Sequence, residues 1–230
     1  MGSGTATGVE PYRGIAMEGG IARRYARNTG ASLDEFRALA RAIAAQLDPG
    51  AVLLEIAPGP GYLAIELAKL GAFRITGLDI SHSFVRIAQE NAAKDGVDVK
   101  FRQGNASELP FAANWFDFIV CRAAFKNFGD PTGALREMHR VLRPGGTALI
   151  VDMRRDTTNS EISEEVAKMN LNPLSAFTTR FILRQLRRRA YSEDDFNSMI
   201  AQTPFGHGTI SGGGIGFEIR LTKPANDPSR

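Results

Sequence analysis

The chain of 230 residues holds one cysteine, Cys121, so no internal disulfide can form and a reducing compartment is expected. Cys121 closes the apolar run 116–121, where a thiol is expected to act as a small buried hydrophobe. Long hydrophobic runs are missing too, which argues against a membrane-spanning helix. Met1 to Gly8 are small and polar and lack the apolar centre of a secretory signal, so the expected location is cytoplasmic. Histidine is scarce. His82, His139 and His207 show no ligand spacing with a cysteine or carboxylate, and no metal site is expected. A strong charge of one sign is absent: a net +3 with a pI near 9.2 is weak support for a nucleic-acid partner, and none is expected. Repeats, heptads and low-complexity blocks are absent, which leaves a single domain over 1–230.

What is present is a 43% hydrophobic content laid out in alternating strands and helices. Ser32 and Glu35 read as a capping box, followed by Leu33, Phe36, Leu39, Ala40, Ile43 and Leu47 at helical spacing. Asp48-Pro49-Gly50 stops that helix. Strands are expected at 51–56, 73–78, about 97–101, 116–121 and 147–152. Helices run between them over 62–70, from a Ser81 cap to about Lys94, and from Asp130-Pro131 to the stop 142–146. Near the C-terminus, 208–211 and 215–221 flank Gly212-Gly213-Gly214 as a hairpin. The expected fold is α/β and doubly wound. It has a mostly parallel seven-stranded sheet, helices on both faces and an antiparallel C-terminal hairpin at the edge. Two segments stand outside this rhythm: an N-terminal lid over 1–31 with a short helix at 21–28, and a polar helical excursion over 154–191 broken at Asn172-Pro173.

The first strand leads into Glu55-Ile56-Ala57-Pro58-Gly59-Pro60-Gly61, and the second ends at Asp79. Gly59 to Ala64 fits the dinucleotide pattern G-x-G-x-x-A, with Asp79 at the right distance for a ribose. Glu55, however, would repel a pyrophosphate, and Pro58 and Pro60 remove two N–H groups from the loop. S-adenosylmethionine fits better, because it has no phosphate and carries an ammonium and a sulfonium. Glu55 would hold the ammonium, directly or through water, and Gly59 and Gly61 would admit close backbone approach. Asp79 would accept from both ribose hydroxyls. Asn105 and the Ala106 backbone would meet the adenine edge, with Ile80 on its face.

In order along the chain, E-I-A-P-G-P-G, I-T-G-L-D-I-S, G-N-A-S-E-L-P-F, F-D-F-I-V-C-R and L-R-P-G-G resemble the class I S-adenosylmethionine-dependent methyltransferases. The similarity is to the small-molecule branch that includes ubiquinone and menaquinone C-methyltransferases, and it covers about 53–152. It implies a cofactor role for Glu55, Gly59, Gly61, Asp79, Asn105, Ala106 and Arg122. In two places the chain departs from the family. Ala57 stands where the loop's first glycine is usual, with ordinary backbone angles expected, and Asn105 stands where an Asp usually faces adenine.

The expected reaction is in-line methyl transfer to a small-molecule acceptor, driven by alignment and exclusion of water. No general base is nominated; His207 is the least unsuitable of the histidines. Acceptor contacts are expected from Tyr25, Arg27 and Asn28 in the lid and from Phe125, Asn127 and Phe128 after the fourth strand. Arg180, Arg184, Arg187 and Arg188 fall on one helical face with Arg189 beside them, read first as a solvated face and second as a contact for an acidic substrate or surface. The competing functions are a nicotinamide oxidoreductase and a catalytically idle binding protein. The first lacks a Tyr-x-x-x-Lys pair, since Tyr12, Tyr25, Tyr62 and Tyr191 precede Ala16, Thr29, Glu66 and Asp195 at that spacing.

Overall fold

The computed structural model describes residues 12–14, 17–30 and 33–225; Ser32 and its capping box lie outside them. Helices α1 (Gly19–Thr29) and α2 (Leu33–Ala44) precede an alternating series. It runs β1 (Val52–Ile56), α3 (Tyr62–Ala68), β2 (Arg74–Asp79), α4 (His82–Asp95), β3 (Val99–Gln103), β4 (Phe116–Arg122), α5 (Pro131–Val141) and β5 (Leu142–Met153). The excursion forms α6 (Asn159–Lys168) and α7 (Pro173–Arg187), and α8 (Glu193–Ala201) leads to β6 (Thr209–Gly213) and β7 (Gly216–Thr222). The seven strands lie in the order β3-β2-β1-β4-β5-β7-β6, with β7 antiparallel to both neighbours and the rest parallel.

The sheet is buried on both faces because its strands are apolar at consecutive positions. Val52, Leu54 and Ile56 of β1 join Ile119 and Cys121 of β4 under α5 and α8. Leu53 turns the other way with Phe118 and Val120, under α2, α3 and α4. That alternation aims Glu55, two residues after Leu53, at α3.

Short polar signals fix the helix starts. Ser81 Oγ accepts from the Phe84 N–H at 3.0 Å, and Asp130 Oδ1 accepts from Gly133 at 2.8 Å with Pro131 in the first turn. Each such cap is worth about 1 kcal/mol. Two boundaries differ from expectation. The stretch 142–146, read as a helix stop, is already strand: Leu142 pairs with Phe116, and a register shift follows before Phe118. Gly145 and Gly146 exchange backbone hydrogen bonds with Lys223, which holds the stretch in the ladder. In the hairpin, Gly212 and Gly213 belong to β6, and the turn is Gly214-Ile215.

Candidate functional site

Between β1 and β4 the strand order reverses direction, and beyond the carboxyl ends at such a switch point doubly wound folds open a crevice and bind ligands. The loop on one wall alternates left-handed residues with prolines: Ala57 has φ 55°, Gly59 55° and Gly61 81°. A Cβ on Gly61 would lie 2.7 Å from the Phe101 ring and 2.9 Å from Ala88, so only glycine fits. Gly59 instead faces the crevice, with the Tyr25 ring beside it. The expectation of ordinary angles at Ala57 is corrected: the residue is left-handed, at a cost of about 1 kcal/mol. Ala123, just past β4 on the opposite wall, is left-handed as well, with φ 58°.

Every N–H of this loop is already in use. Ala57 donates to Leu78 O (2.8 Å), Gly59 to Asp79 Oδ2 (3.0 Å) and Gly61 to Pro58 O (3.0 Å), while the prolines have none to give. At the start of α3 the Ala64 N–H donates to Glu55 Oε2 at 2.9 Å. The loop amides that would cradle a pyrophosphate, and one amide of the first turn of α3, are therefore taken by the protein's own oxygens.

Glu55 and Asp79 are buried and have no basic side chain within salt-bridge distance among the described residues. Burial pushes Glu55 up to about 8, against the opposing pull of the Ala64 amide and the Arg122 charge. Asp79 is also raised, burial first, although Ser81 and Gly59 donate to it. Two desolvated carboxyls facing one crevice favour a ligand that brings positive charge and hydroxyl donors.

The remaining expected contacts are dispersed around this pair. Ile80 is half-buried beside Asp79. Asn105 follows β3, its side-chain oxygen accepting from the Ser107 N–H at 3.1 Å, and Ala106 is buried behind it. The Gly104 N–H donates to Asp79 O, which holds that turn against the end of β2. Arg122 is paired with Glu35 at 2.6 Å and stacked 4.4 Å over the Phe36 ring, so it acts on Glu55 as a fixed charge. Tyr25 packs edge-on against Phe84, while Arg27 and Asn28 are exposed on α1. Phe125 is fully buried among Phe128, Tyr191 and Phe196 and offers no surface to a ligand; Phe128 is buried beside it. Asn127 keeps a buried Oδ1 with no hydrogen-bond partner among the described residues. His207 precedes β6, the edge strand, and β5 and β7 lie between that strand and β4, which puts it far from the switch point. Of the arginines, Arg184, Arg188 and Arg189 are exposed, Arg187 donates to Thr157 O, and Arg184 and Arg188 share the outward side of α7 with Phe177 and Phe181.

Three residues near the crevice are not picked out by the sequence reasoning. Lys126, just past β4, and Asp152, near the end of β5, form a buried ion pair at 2.6 Å, with the Lys126 and Met153 amides also donating to Asp152. Tyr12 bridges to Phe128, and burial together with the Asp79 charge raises its phenol. Asp152 carried a signal, a carboxylate closing an apolar strand as Asp79 does. Lys126, between two phenylalanines, and Tyr12, in a stretch without periodicity, carried none.

A doubly wound sheet of this order, with two buried carboxylates at its ligand-binding end and a loop closed to phosphate, is similar to the sheet of the class I S-adenosylmethionine-dependent methyltransferases, and residues 54–150 match the family described as a methyltransferase domain. The chain is 40% identical over 104 residues to the ubiquinone/menaquinone biosynthesis C-methyltransferase UbiE of Bdellovibrio bacteriovorus, covering 45% of this chain and 44% of that one. It is 36% identical over 151 residues to the demethylmenaquinone methyltransferase of Mycolicibacterium vanbaalenii, covering 64% and 63%. The chain thus spans about half the length of these relatives. A solved structure of a candidate S-adenosyl-L-methionine-dependent methyltransferase from Methanococcus maripaludis superposes with a TM-score of 0.69 at 25% identity, over 92% of this chain and 98% of that one.

Proposed function

We propose that the protein transfers a methyl group from S-adenosylmethionine to a small electron-rich acceptor, with a quinol-like ring favoured by the names of its relatives. One observation carries the reading: Glu55 and Asp79 are buried with no basic side chain within salt-bridge distance among the described residues, beside a loop that has no amide left for phosphate. The cofactor supplies an activated methyl on a sulfonium, a good neutral leaving group. Glu55 meets its ammonium end, ionising as it does so, and Asp79 accepts from the ribose hydroxyls. Asn105 and the Ala106 backbone take the adenine edge, Ile80 its face, and Arg122 tunes Glu55 from behind. Residues 17–30, with Tyr25 over Gly59, and the inward side of the excursion 154–191 close the crevice and exclude water. The unpartnered Oδ1 of Asn127 is an acceptor for a hydroxyl of the incoming substrate.

Calorimetry with S-adenosylmethionine and, separately, NADH tests the cofactor half. The sulfonium compound binds and NADH does not; tight NADH binding alone would sink the proposal in favour of a nicotinamide enzyme. A labelled-methyl screen against quinols, phenols, amines and carboxylic acids tests the acceptor half. Labelling of none of them, with cofactor bound, would point to a catalytically idle binding protein.

A further inference from the structure

Of the large hydrophobic side chains exposed among the described residues, most lie between Met169 and Ile182. Leu174 is 75% exposed, Phe177 68%, Phe181 57% and Ile182 50%. The cause is the way α7 packs. Ala176, Leu183 and Leu186 turn inward, the last two against a small cluster of Met153, Ile162 and Ala190. On the opposite side, Leu174, Phe177 and Phe181 recur at helical spacing and run into Arg184 and Arg188. A contiguous apolar face of this kind on a soluble surface marks a contact site.

Charge decides what the contact is. From Val166 to Ser192 the chain carries six basic residues and no acidic one. Helix α1, over the crevice, repeats the pattern with Arg23, Arg24 and Arg27, no acid, and Ile21 and Tyr25 exposed. A second copy of the chain docked face to face would bring one basic run against another. The aliphatic Leu174 and Ile182 offer bases no stacking surface, which disfavours RNA. Hydrocarbon beside basic side chains matches the headgroup layer of an anionic bilayer, where apolar groups insert and guanidiniums meet lipid phosphates. No described helix is long and apolar enough to cross a membrane, so such a helix lies on the surface.

We infer that α7 is a membrane-surface helix: Leu174, Phe177 and Phe181 insert at headgroup depth of an anionic bilayer while Arg184, Arg188 and Arg189 hold lipid phosphates. The inference does not depend on the methyl-transfer reading. The test is co-sedimentation of the full chain with phosphatidylcholine vesicles, with and without about 30% phosphatidylglycerol. Anionic vesicles should bind about tenfold more protein, Phe177→Ser/Phe181→Ser should remove most of that binding, and Arg184→Glu/Arg188→Glu should remove the anionic preference. These positions are exposed, so thermal unfolding and cofactor calorimetry should stay unchanged, which keeps failure here distinct from failure of the methyl-transfer proposal. Vesicle binding that is absent, or equal in both variants, overturns the inference. So does a lipid-free dimer broken by the phenylalanine pair, a KM effect on the acceptor without vesicle binding, or single-stranded RNA binding in place of vesicles.

Discussion

β1, β2 and β5 each place a buried carboxylate at the carboxyl end of the sheet, yet only Asp152 on β5 has a lysine against it. Asp152 accepts from Lys126 and two backbone amides, so its burial is balanced within the protein. Among the described residues, Glu55 and Asp79 receive amide hydrogen bonds only, and burial raises both. The same chemical group in one layer thus has two uses. The paired one holds the turn after β4 to the end of β5, and the unpaired ones leave a deficit of positive charge for a ligand to fill.

The comparison breaks most visibly at Lys126. Lys126→Met strands Asp152 and should cost about 3–5 kcal/mol in denaturant unfolding. Cofactor affinity in the fraction that stays folded should change far less. Next in size is a pH effect on the free protein. Glu55 is raised in the folded state, so its contribution is full below its unfolded value near 4.5 and is lost as pH rises toward about 8. Stability should fall by roughly 3 kcal/mol between pH 5 and 8, and Glu55→Gln should flatten that slope; a wild-type profile rising over this range would contradict it. Cofactor binding should in turn release a proton near neutrality, detectable by calorimetry in buffers of different ionisation heat. Asp79→Ala should weaken S-adenosylmethionine binding by about tenfold or more, as loss of a doubly used carboxylate requires. Smallest is Ala57→Gly, which relieves the left-handed alanine and should raise stability by about 1 kcal/mol, read as a higher Tm.

Much of this contrast was legible in the residues. Glu55 and Asp79 stand out because each is a charge near the end of an apolar run, where burial is already implied. The parallel order follows from continuous apolar strands separated by well-signalled helices. What stayed hidden needed distance or direction. Lys126 finds Asp152 across 26 residues, and no local pattern links them. Ala57 precedes a proline, which biases the preceding residue toward extended angles, so the sequence pointed away from the conformation it adopts. The arginines of α7 were countable, but which side of the helix turned inward was settled by Met153 and Ile162 from elsewhere in the chain.

The alternation of Ala57, Pro58, Gly59, Pro60 and Gly61 bears on the timing of turnover. Two fixed torsions and three internal hydrogen bonds leave little freedom to freeze when the donor arrives, so little affinity is spent on ordering the loop. A rigid floor, however, cannot tell a spent donor from a fresh one by changing shape. On the methyl-transfer proposal, discharge of the demethylated cofactor should then depend on the covering segment, where Tyr25 leans over Gly59 and the Tyr62 hydroxyl donates to Ala26 O at 3.0 Å, and its residence time should report how often α1 lifts.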